Sequence, residues 1–293
     1  MIFIGTGCWT SSAFADTIST KRGYTADYIT ANAATMDTQA VYTSYGMQPH
    51  LNPKNVIREC CDSEEHPETV PVILALDVTG SMGPSARIAA GKLNEIMTSL
   101  FDKVKDVEFL TMAIGDLAYD DAPIQASQFE SDARICDQML DIYFEGGGGG
   151  NAFESYTGAW WFGLHHTKLD CWNRGKKGII ITLGDEPLNP YLPAHGVRCA
   201  FGDEVQGDVN TDELYEDVKE KFDVFHIAVT DMSSYRHYED RIKNSFGKLL
   251  GQNFMTATCD ELADVITDII VTATTTHMSS DTGITVGEDG ISW

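Results

Sequence analysis

One stretch decides the fold of this 293-residue chain: Val70-Pro71-Val72-Ile73-Leu74-Ala75-Leu76-Asp77-Val78-Thr79-Gly80-Ser81-Met82. It begins as an apolar run, which is typical of a strand buried on both faces of a parallel sheet. The run stops at Asp77, and hydroxyl residues follow at alternating positions, Thr79 and Ser81. Gly80 allows a sharp turn, and Pro84 marks a helix start, because a helix tolerates proline only in its first turn.

The acid and the two hydroxyls have the chemistry of a cation site. Oxygen ligands of low total charge suit Mg²⁺ or Mn²⁺ and leave positions open for water or for a carboxylate of another protein. The alternative is a helix N-cap, since Thr and Ser side chains commonly accept hydrogen bonds from the free amides at a helix start. The stretch alone does not decide between these two interpretations.

The charge balance limits the classes of partner. The formal net charge is -24, whereas the hydrophobic content of 43% is ordinary for a globular protein. A surface this acidic repels phosphate backbones and anionic lipids, so we expect no nucleic-acid partner and no membrane-surface partner. An acidic surface attracts cations or basic partners. It is explained equally well by the solubility that a high net charge gives a protein.

Seven cysteines show no zinc-like spacing and no C-x-x-C pair. We interpret them as reduced, partly buried thiols, which predicts a cytoplasmic protein. No apolar run approaches the roughly 18 residues of a membrane span. The apolar start at Met1 to Ile4 lacks a basic region before it and is interrupted by glycine and threonine, so it resembles a signal peptide only weakly.

Three regions follow from composition. Residues 1–66 form an N-terminal extension rich in Thr, Ser and Tyr, whose tyrosines are candidate apolar anchors. Residues 67–275 form the main domain. Residues 276–293 are glycine-rich toward the end and are predicted to be a mobile tail.

Strands and helices alternate along the main domain. Apolar positions three and four residues apart predict a helix from Ile88 to Val104. Further strands are expected at 106–115, 122–129, 177–182, 223–230 and 253–258, with helices at 131–143, around 160–164, 212–221, 238–250 and 261–272. This alternation predicts an α/β fold with a doubly wound, mostly parallel sheet flanked by helices, Rossmann-like in architecture.

Four of these strands finish on an acid: Asp77, Asp116, Asp185 and Asp231. In doubly wound sheets a ligand lies beyond the carboxyl ends of the strands, so the four acids are expected at one edge. A glycine run, Gly146 to Gly150, precedes Asn151 and allows close approach of the backbone to a ligand. It is not a phosphate-binding P-loop, because the motif's lysine is missing and the run follows a helix.

These residues resemble the von Willebrand factor type A (vWA) domain with its metal-ion-dependent adhesion site (MIDAS), in a bacterial or phage form. Asp77-x-Thr79-x-Ser81 matches the family's D-x-S-x-S motif with Thr for the first Ser. The glycine loop is similar to the one that carries the family's metal-binding Thr, where Asn151 stands here. Asp185, in Gly-Asp-x-Pro, resembles the last acid of the metal site. The resemblance covers roughly residues 68–273.

The resemblance implies binding rather than turnover. It places Mg²⁺, Mn²⁺ or Ca²⁺ at the top of the sheet, with Thr79 and Ser81 as direct ligands and Asp77 and Asp185 holding ligating waters. Asn151 would contribute from the loop. An Asp or Glu of a partner protein would complete the site, the partner being an AAA+ ATPase or another copy of the chain.

Two other function classes remain open at this point. A metal-dependent phosphohydrolase would use Asp77 as nucleophile, but Thr79 stands where such enzymes place a second acid. His165, His166 and His226 are better explained as structural histidines than as catalytic bases. An assembly protein of a phage or prophage particle, without essential metal, would use residues 1–66 to contact a neighbour.

Overall fold

The computed structural model describes residues 44–83, 103–145 and 151–281, together with separate positions between 17 and 42 and between 85 and 100. The described strands are β1 (Arg58–Cys60), β2 (Val70–Asp77), β3 (Val107–Ile114), β4 (Ile124–Ala126), β5 (Thr167–Leu169), β6 (Gly178–Gly184), β7 (Tyr191–Leu192), β8 (Val209–Asn210), β9 (Phe222–Val229) and β10 (Phe254–Ala257). The described α-helices are α1 (Thr38–Val41), α2 (Arg134–Leu140), α3 (Thr157–His165), α4 (Ala194–Phe201), α5 (Thr211–Val218), α6 (Ser233–Leu250) and α7 (Leu262–Asp281).

Six of these strands form the central sheet in the order β10-β9-β6-β2-β3-β4. All neighbours are parallel except β3 and β4, which pair antiparallel at one edge. Numbered along the chain, the six strands lie in the order 3-2-1-4-5-6 from β4 to β10, which is the doubly wound arrangement. The expected α/β fold with a mostly parallel sheet is therefore confirmed.

Helices cover both faces of the sheet because the inner strands are apolar on both sides. Along β2, Val72, Leu74 and Leu76 belong to one core and Ile73 and Ala75 to the other, as the two-residue period of a strand requires. The first core is completed by residues of α2 and α7. The second is completed by residues of α3, α4, α5 and α6.

Several predicted boundaries were wrong. Helix α2 begins at Arg134 rather than near Ser131, and α6 begins at Ser233, five residues before the predicted start at Tyr238. Helix α7 continues to Asp281, so the expected tail begins as helix. The rest of that tail, 282–293, lies outside the described residues, as does much of the helix predicted from Ile88 to Val104.

The described part of the N-terminal extension packs on the main domain. Strand β1 pairs parallel with β5, and Asp62 forms an ion pair with Arg174. Tyr42 is buried, whereas Tyr28 and Tyr45 are exposed, so only the first of these three tyrosines acts as an apolar anchor. Within the described part of the chain, no helix combines the length and the apolarity that crossing a bilayer requires.

Candidate metal centre

The candidate centre lies where the order of the sheet reverses. Strand β2 has β3, the next strand of the sheet along the chain, on one side and β6 on the other. The crevice at such a switch point is the usual ligand position in doubly wound folds. Asp77 is the last residue of β2 and Asp185 follows β6 directly, and both side chains are 0% exposed. The topology therefore brings two of the predicted acids together.

The two predicted hydroxyls are hydrogen-bonded to these acids. Thr79 donates to Asp77 Oδ1 from its Oγ1 at 2.6 Å and from its backbone N at 2.9 Å. Ser81 Oγ lies 3.0 Å from Asp185 Oδ1. Thr79 precedes a short 3₁₀ turn, Gly80–Met82, but its side chain caps no amide of that turn. The N-cap interpretation of Thr79 is therefore wrong. The hydroxyls of the motif are instead oriented by their hydrogen bonds to the two carboxylates.

Sequence reasoning missed Tyr156, which holds the other oxygen of Asp77. Its hydroxyl donates to Asp77 Oδ2 at 2.8 Å, and the ring is fully buried. Gly184 leaves room for this ring: a Cβ there would lie 1.9 Å from the Tyr156 Oη. A buried tyrosine needs a partner for its hydroxyl, but no local pattern indicates that the partner lies on β2.

The electrostatics of the pair favour a cation. Burial raises the pKa of Asp77 above its ordinary value, and repulsion by Asp185 raises it further, whereas hydrogen bonds from Thr79 and Tyr156 lower it. Burial also raises the pKa of Asp185, and Ser81 and Ser234 oppose this rise. Two buried carboxylates ionise together only at a cost, and a positive charge between them removes that cost.

The donor set fits a hard divalent cation. Among the described residues, Asp185 Oδ2 is buried without a hydrogen-bond partner, and such an orphaned atom is expected where a ligand or ion belongs. Each motif hydroxyl donates its proton to a carboxylate, which leaves its lone pairs for a cation. Within the same described ranges, no three His, Cys, Asp or Glu side chains form a ready ligand set, so the centre would depend on hydroxyls and waters as well as on acids.

Two other predicted residues lie elsewhere on this edge. Asn151 is exposed; its Nδ2 donates to Asp116 Oδ2 at 2.7 Å, and its Oδ1 accepts from Phe153 N at 2.9 Å. The glycines before it, 146–150, lie outside the described residues. Asp231 accepts from Cys259 N at 3.2 Å, at the end of β9. In the described part of the chain, neither Asn151 nor Asp231 hydrogen-bonds to Asp77 or Asp185.

Two further acids beside the centre escaped sequence reasoning, Glu154 and Glu186. Glu154 is 3% exposed, and one buried carboxylate oxygen on each residue lacks a hydrogen-bond partner among the described groups. Burial and then repulsion by Asp185 raise the pKa of Glu186 to about 7. Glu186 adjoins a predicted site acid, which was the only sequence signal for it.

Among the histidines, His166 is a satisfied structural residue, with Nε2 2.7 Å from Asp203 Oδ2 and Nδ1 2.8 Å from the Val56 carbonyl. His226 is fully buried beneath the centre and stacks on Phe246 at a centroid distance of 3.6 Å. Its Nδ1 lies 2.8 Å from Thr182 Oγ1. His166 therefore fits the satisfied structural role expected of it, whereas the Nε2 of His226 is buried without a hydrogen-bond partner among the described groups.

His226 should make the protein less stable as the pH falls. Burial lowers its pKa from 6.5 to about 3. Between these pH values the folded chain keeps the ring neutral, while the unfolded chain takes up a proton. The contribution of His226 to the stability of the fold is therefore complete above pH 6.5 and is lost as the pH falls from 6.5 to 3. Denaturant unfolding at pH 7.5 and 5.0 should show the wild type losing about 2 kcal/mol more than His226→Phe. The carboxyl groups of the site are present in both proteins, so their effect cancels in the comparison. Equal losses of stability in the wild type and His226→Phe would contradict a buried, neutral His226.

No protein-family model and no curated protein matches this chain. Solved structures similar to it include the pilus adhesin SpaC from Lactobacillus rhamnosus GG in its open conformation, 12% identical over 74% of this chain and 31% of that chain, with a TM-score of 0.46. Proximal thread matrix protein 1 from the mussel byssus is 12% identical over 73% of this chain and 49% of its own, with a TM-score of 0.47. A conserved hypothetical protein, BatB from Bacteroides thetaiotaomicron, is 14% identical over 70% of this chain and 99% of its own, with a TM-score of 0.41. This chain thus spans about a third of SpaC and about half of the byssus protein, and at these identities no function is carried over from any of the three.

Proposed function

We propose that this chain is a vWA-type interaction protein, in which a divalent cation bound beside Asp77 and Asp185 docks a carboxylate of a partner protein. The observation that carries the proposal is the unpartnered, buried Asp185 Oδ2 at the switch point of the sheet, next to a second buried acid. The D-x-T-x-S motif supplies hydroxyls already oriented by those acids. Both features match the metal site that the sequence resemblance implies.

Each residue has a distinct role in this proposal. Thr79 and Ser81 offer hydroxyl oxygens to the cation, while Asp77 and Asp185 supply negative charge and hold its waters. Tyr156 fixes the Asp77 carboxylate through its hydrogen bond. Mg²⁺ is the expected ion, with Mn²⁺ or Ca²⁺ as substitutes, because the donors are hard oxygens. Asn151 is adjacent to Asp116 and is proposed only as a contributor from the loop.

The surroundings of Asp77 support binding rather than turnover. A nucleophilic carboxylate needs an oxygen free to attack. Both oxygens of Asp77 accept hydrogen bonds, from Thr79 and Tyr156, and the side chain is 0% exposed. We therefore place the phosphohydrolase alternative behind the interaction function.

The partner is proposed to be a protein that presents an Asp or Glu side chain. A cation held by two acids and two hydroxyls retains positions for a further oxygen ligand. An AAA+ ATPase or another copy of this chain remains the expected kind of partner. The net charge of -24 disfavours nucleic acid and anionic membranes as alternatives.

Mn²⁺ titration of the metal-stripped protein tests the proposal in two stages. Bound Mn²⁺ should show saturable, one-site binding and should enhance the relaxation of water protons, because open positions on the ion exchange water. Adding the blocked tripeptide Gly-Glu-Gly or acetate at millimolar concentration should lower that enhancement, since a carboxylate displaces water. The matched Gly-Gln-Gly peptide should leave it unchanged.

The two stages separate the parts of the proposal. A wild-type protein that binds no Mn²⁺ would overturn the metal centre itself. Binding of Mn²⁺ with no response to either carboxylate probe would overturn the docking step, and the centre would then be a closed structural site.

A further inference from the structure

One arginine of α6, Arg241, has no polar partner in the described part of the chain. Its side chain is exposed, and its guanidinium forms no ion pair and no hydrogen bond there. Every other described arginine has such a partner: Arg58, Arg134, Arg174, Arg198 and Arg236. Asp and Glu outnumber Lys and Arg by 44 to 20, yet none of the described acids is paired with Arg241. This guanidinium is therefore available to an anion from outside the chain.

Two aromatic rings hold the Arg241 guanidinium in place. Its Cζ lies 4.9 Å from the centroid of the Phe153 ring and 5.1 Å from the centroid of the Tyr238 ring. An arginine stacked on a ring keeps the N–H groups at its edge for hydrogen bonds, and these N–H groups match the two oxygens of a carboxylate. The side chain is therefore ordered before any partner arrives, which lowers the entropy that binding costs.

Backbone and side-chain contacts place Arg241 beside the candidate centre. The residue after Phe153 bridges through its backbone to Leu188, which lies three residues after Asp185. Leu188 N also donates to Ser245 Oγ at 3.2 Å, and Ser245 lies one turn beyond Arg241 on α6. The guanidinium therefore packs where α6 meets the segment that leads out of the centre.

The separation between the centre and Arg241 follows from the helix. Strands β6 and β9 are in register, with Ala228 beside Gly184, so α6, which begins at Ser233, starts close to Asp185. Arg241 lies eight residues further on, about 12 Å along the helix axis. In an extended segment, residues i and i+4 lie about 13 Å apart on the same side. Acids at those two positions match the separation of the two sites.

We propose that Arg241 binds a second carboxylate of the docked partner, so that the partner presents an extended segment with two acids four residues apart. This inference rests on the proposed function and adds the chemistry of the partner: one acid completes the cation, and the other pairs with the guanidinium. Burial and Asp185 raise the pKa of Glu186, and the charge of Arg241 opposes this rise. The two residues nevertheless form no ion pair in the described structure, so the N–H groups of Arg241 stay open to the partner.

The test compares two blocked peptides on the Mn²⁺-loaded protein. Gly-Glu-Gly-Gly-Gly-Glu-Gly carries both acids, and Gly-Glu-Gly-Gly-Gly-Gln-Gly carries one; each is titrated by its effect on the relaxation of water protons. In the wild type, the peptide with two acids should bind about 5–10-fold more tightly, the gain expected of an exposed but pre-ordered charge pair. Arg241→Gln should bind the two peptides within about twofold of each other, the statistical advantage of a second acid.

Arg236→Gln is the matched control. Arg236 is exposed on the same helix, but it lies five residues before Arg241, on another face, and donates to the Asp231 carbonyl at 3.0 Å. Its replacement removes the same charge, so this variant should keep the preference for the peptide with two acids. Mn²⁺ affinity should stay within about twofold of the wild type in both variants, because exposed charges at this distance from the ion are screened by salt.

The possible failures of this inference and of the proposed function give different results. Equal affinities of the wild type for the two peptides, or a preference that Arg241→Gln retains, would overturn the role of Arg241 and leave the docking of a single carboxylate intact. A preference lost in both arginine variants would also overturn it, because a general charge effect would then explain the result. A wild type that binds no Mn²⁺, or that binds Mn²⁺ without responding to either peptide, would overturn the proposed function and this inference with it.

Discussion

Asp77→Asn is expected to weaken Mn²⁺ and Mg²⁺ binding by at least about 100-fold, measured by calorimetry on metal-stripped protein. Asparagine preserves the shape and an oxygen acceptor for Thr79, but it removes the charge at the centre of the site. The metal-free variant should be at least as stable as the wild type at pH 7.5, because Asp77 is fully buried and burial raises its pKa. Loss of binding with retained stability would identify Asp77 as a site residue rather than a structural one.

Two comparisons sharpen that result. Asp77→Ala removes the acceptor for Thr79 N and for the Tyr156 hydroxyl, and each buried group left unpaired costs about 1–3 kcal/mol. Asp231→Asn is the control at the same edge of the sheet, because Asp231 is exposed and bonds to Cys259. Its Mn²⁺ affinity should stay within about twofold of the wild type. Equal losses in Asp77→Asn and Asp231→Asn would contradict a local centre.

Gly184→Ala is expected to be the most destabilising small substitution near the centre. The new Cβ would lie 1.9 Å from Tyr156 Oη and 2.4 Å from two ring carbons, so the buried ring must move. Overpacking of this severity should cost at least about 3 kcal/mol, and the unfolding temperature should fall by roughly 6–12 °C. Mn²⁺ affinity should also fall, since a displaced Tyr156 releases Asp77 Oδ2.

Gly247→Ala is the control for a glycine-to-alanine change in the same protein. Gly247 lies within α6, and the nearest atom to a Cβ there is Phe254 Cδ1 at 3.7 Å, an ordinary contact. Alanine in a helix is favoured over glycine by about 0.5–1 kcal/mol, so this variant should be slightly more stable than the wild type. A Gly184→Ala protein as stable as Gly247→Ala would show that Tyr156 is not packed as described.

The fold could be predicted because its signals are local. The apolar run that ends at Asp77 became β2 with both bounds as expected. The strands predicted at 177–182 and 223–230 became β6 and β9, shifted by one or two residues. Each inner strand is buried on both faces, so it appears in the sequence as a continuous run of apolar residues. Helix boundaries were less accurate; α6, for example, begins after Met232 without a side-chain cap that the sequence could show.

Only part of the site could be predicted, because several of its contacts join residues that are distant in the sequence. Asp77, Thr79 and Ser81 lie within five residues, so their spacing is visible in the sequence. The hydrogen bond from Tyr156 to Asp77 joins residues almost 80 positions apart, and Tyr156 belongs to no spacing motif. Asn151 shows the same limit: its place after the glycines suggested a ligand, whereas its side chain bonds to Asp116. The outcome depends on loop packing that no single stretch encodes.

The lengths of the outermost strands have a consequence for behaviour in concentrated solution. The inner strands contain seven or eight residues, whereas β4 has three and β10 has four. An exposed strand edge is a template on which other chains can add, and short edges offer few backbone groups for this pairing. The protein should therefore resist aggregation by edge-to-edge strand addition, and ordered association between copies would have to use side-chain surfaces instead.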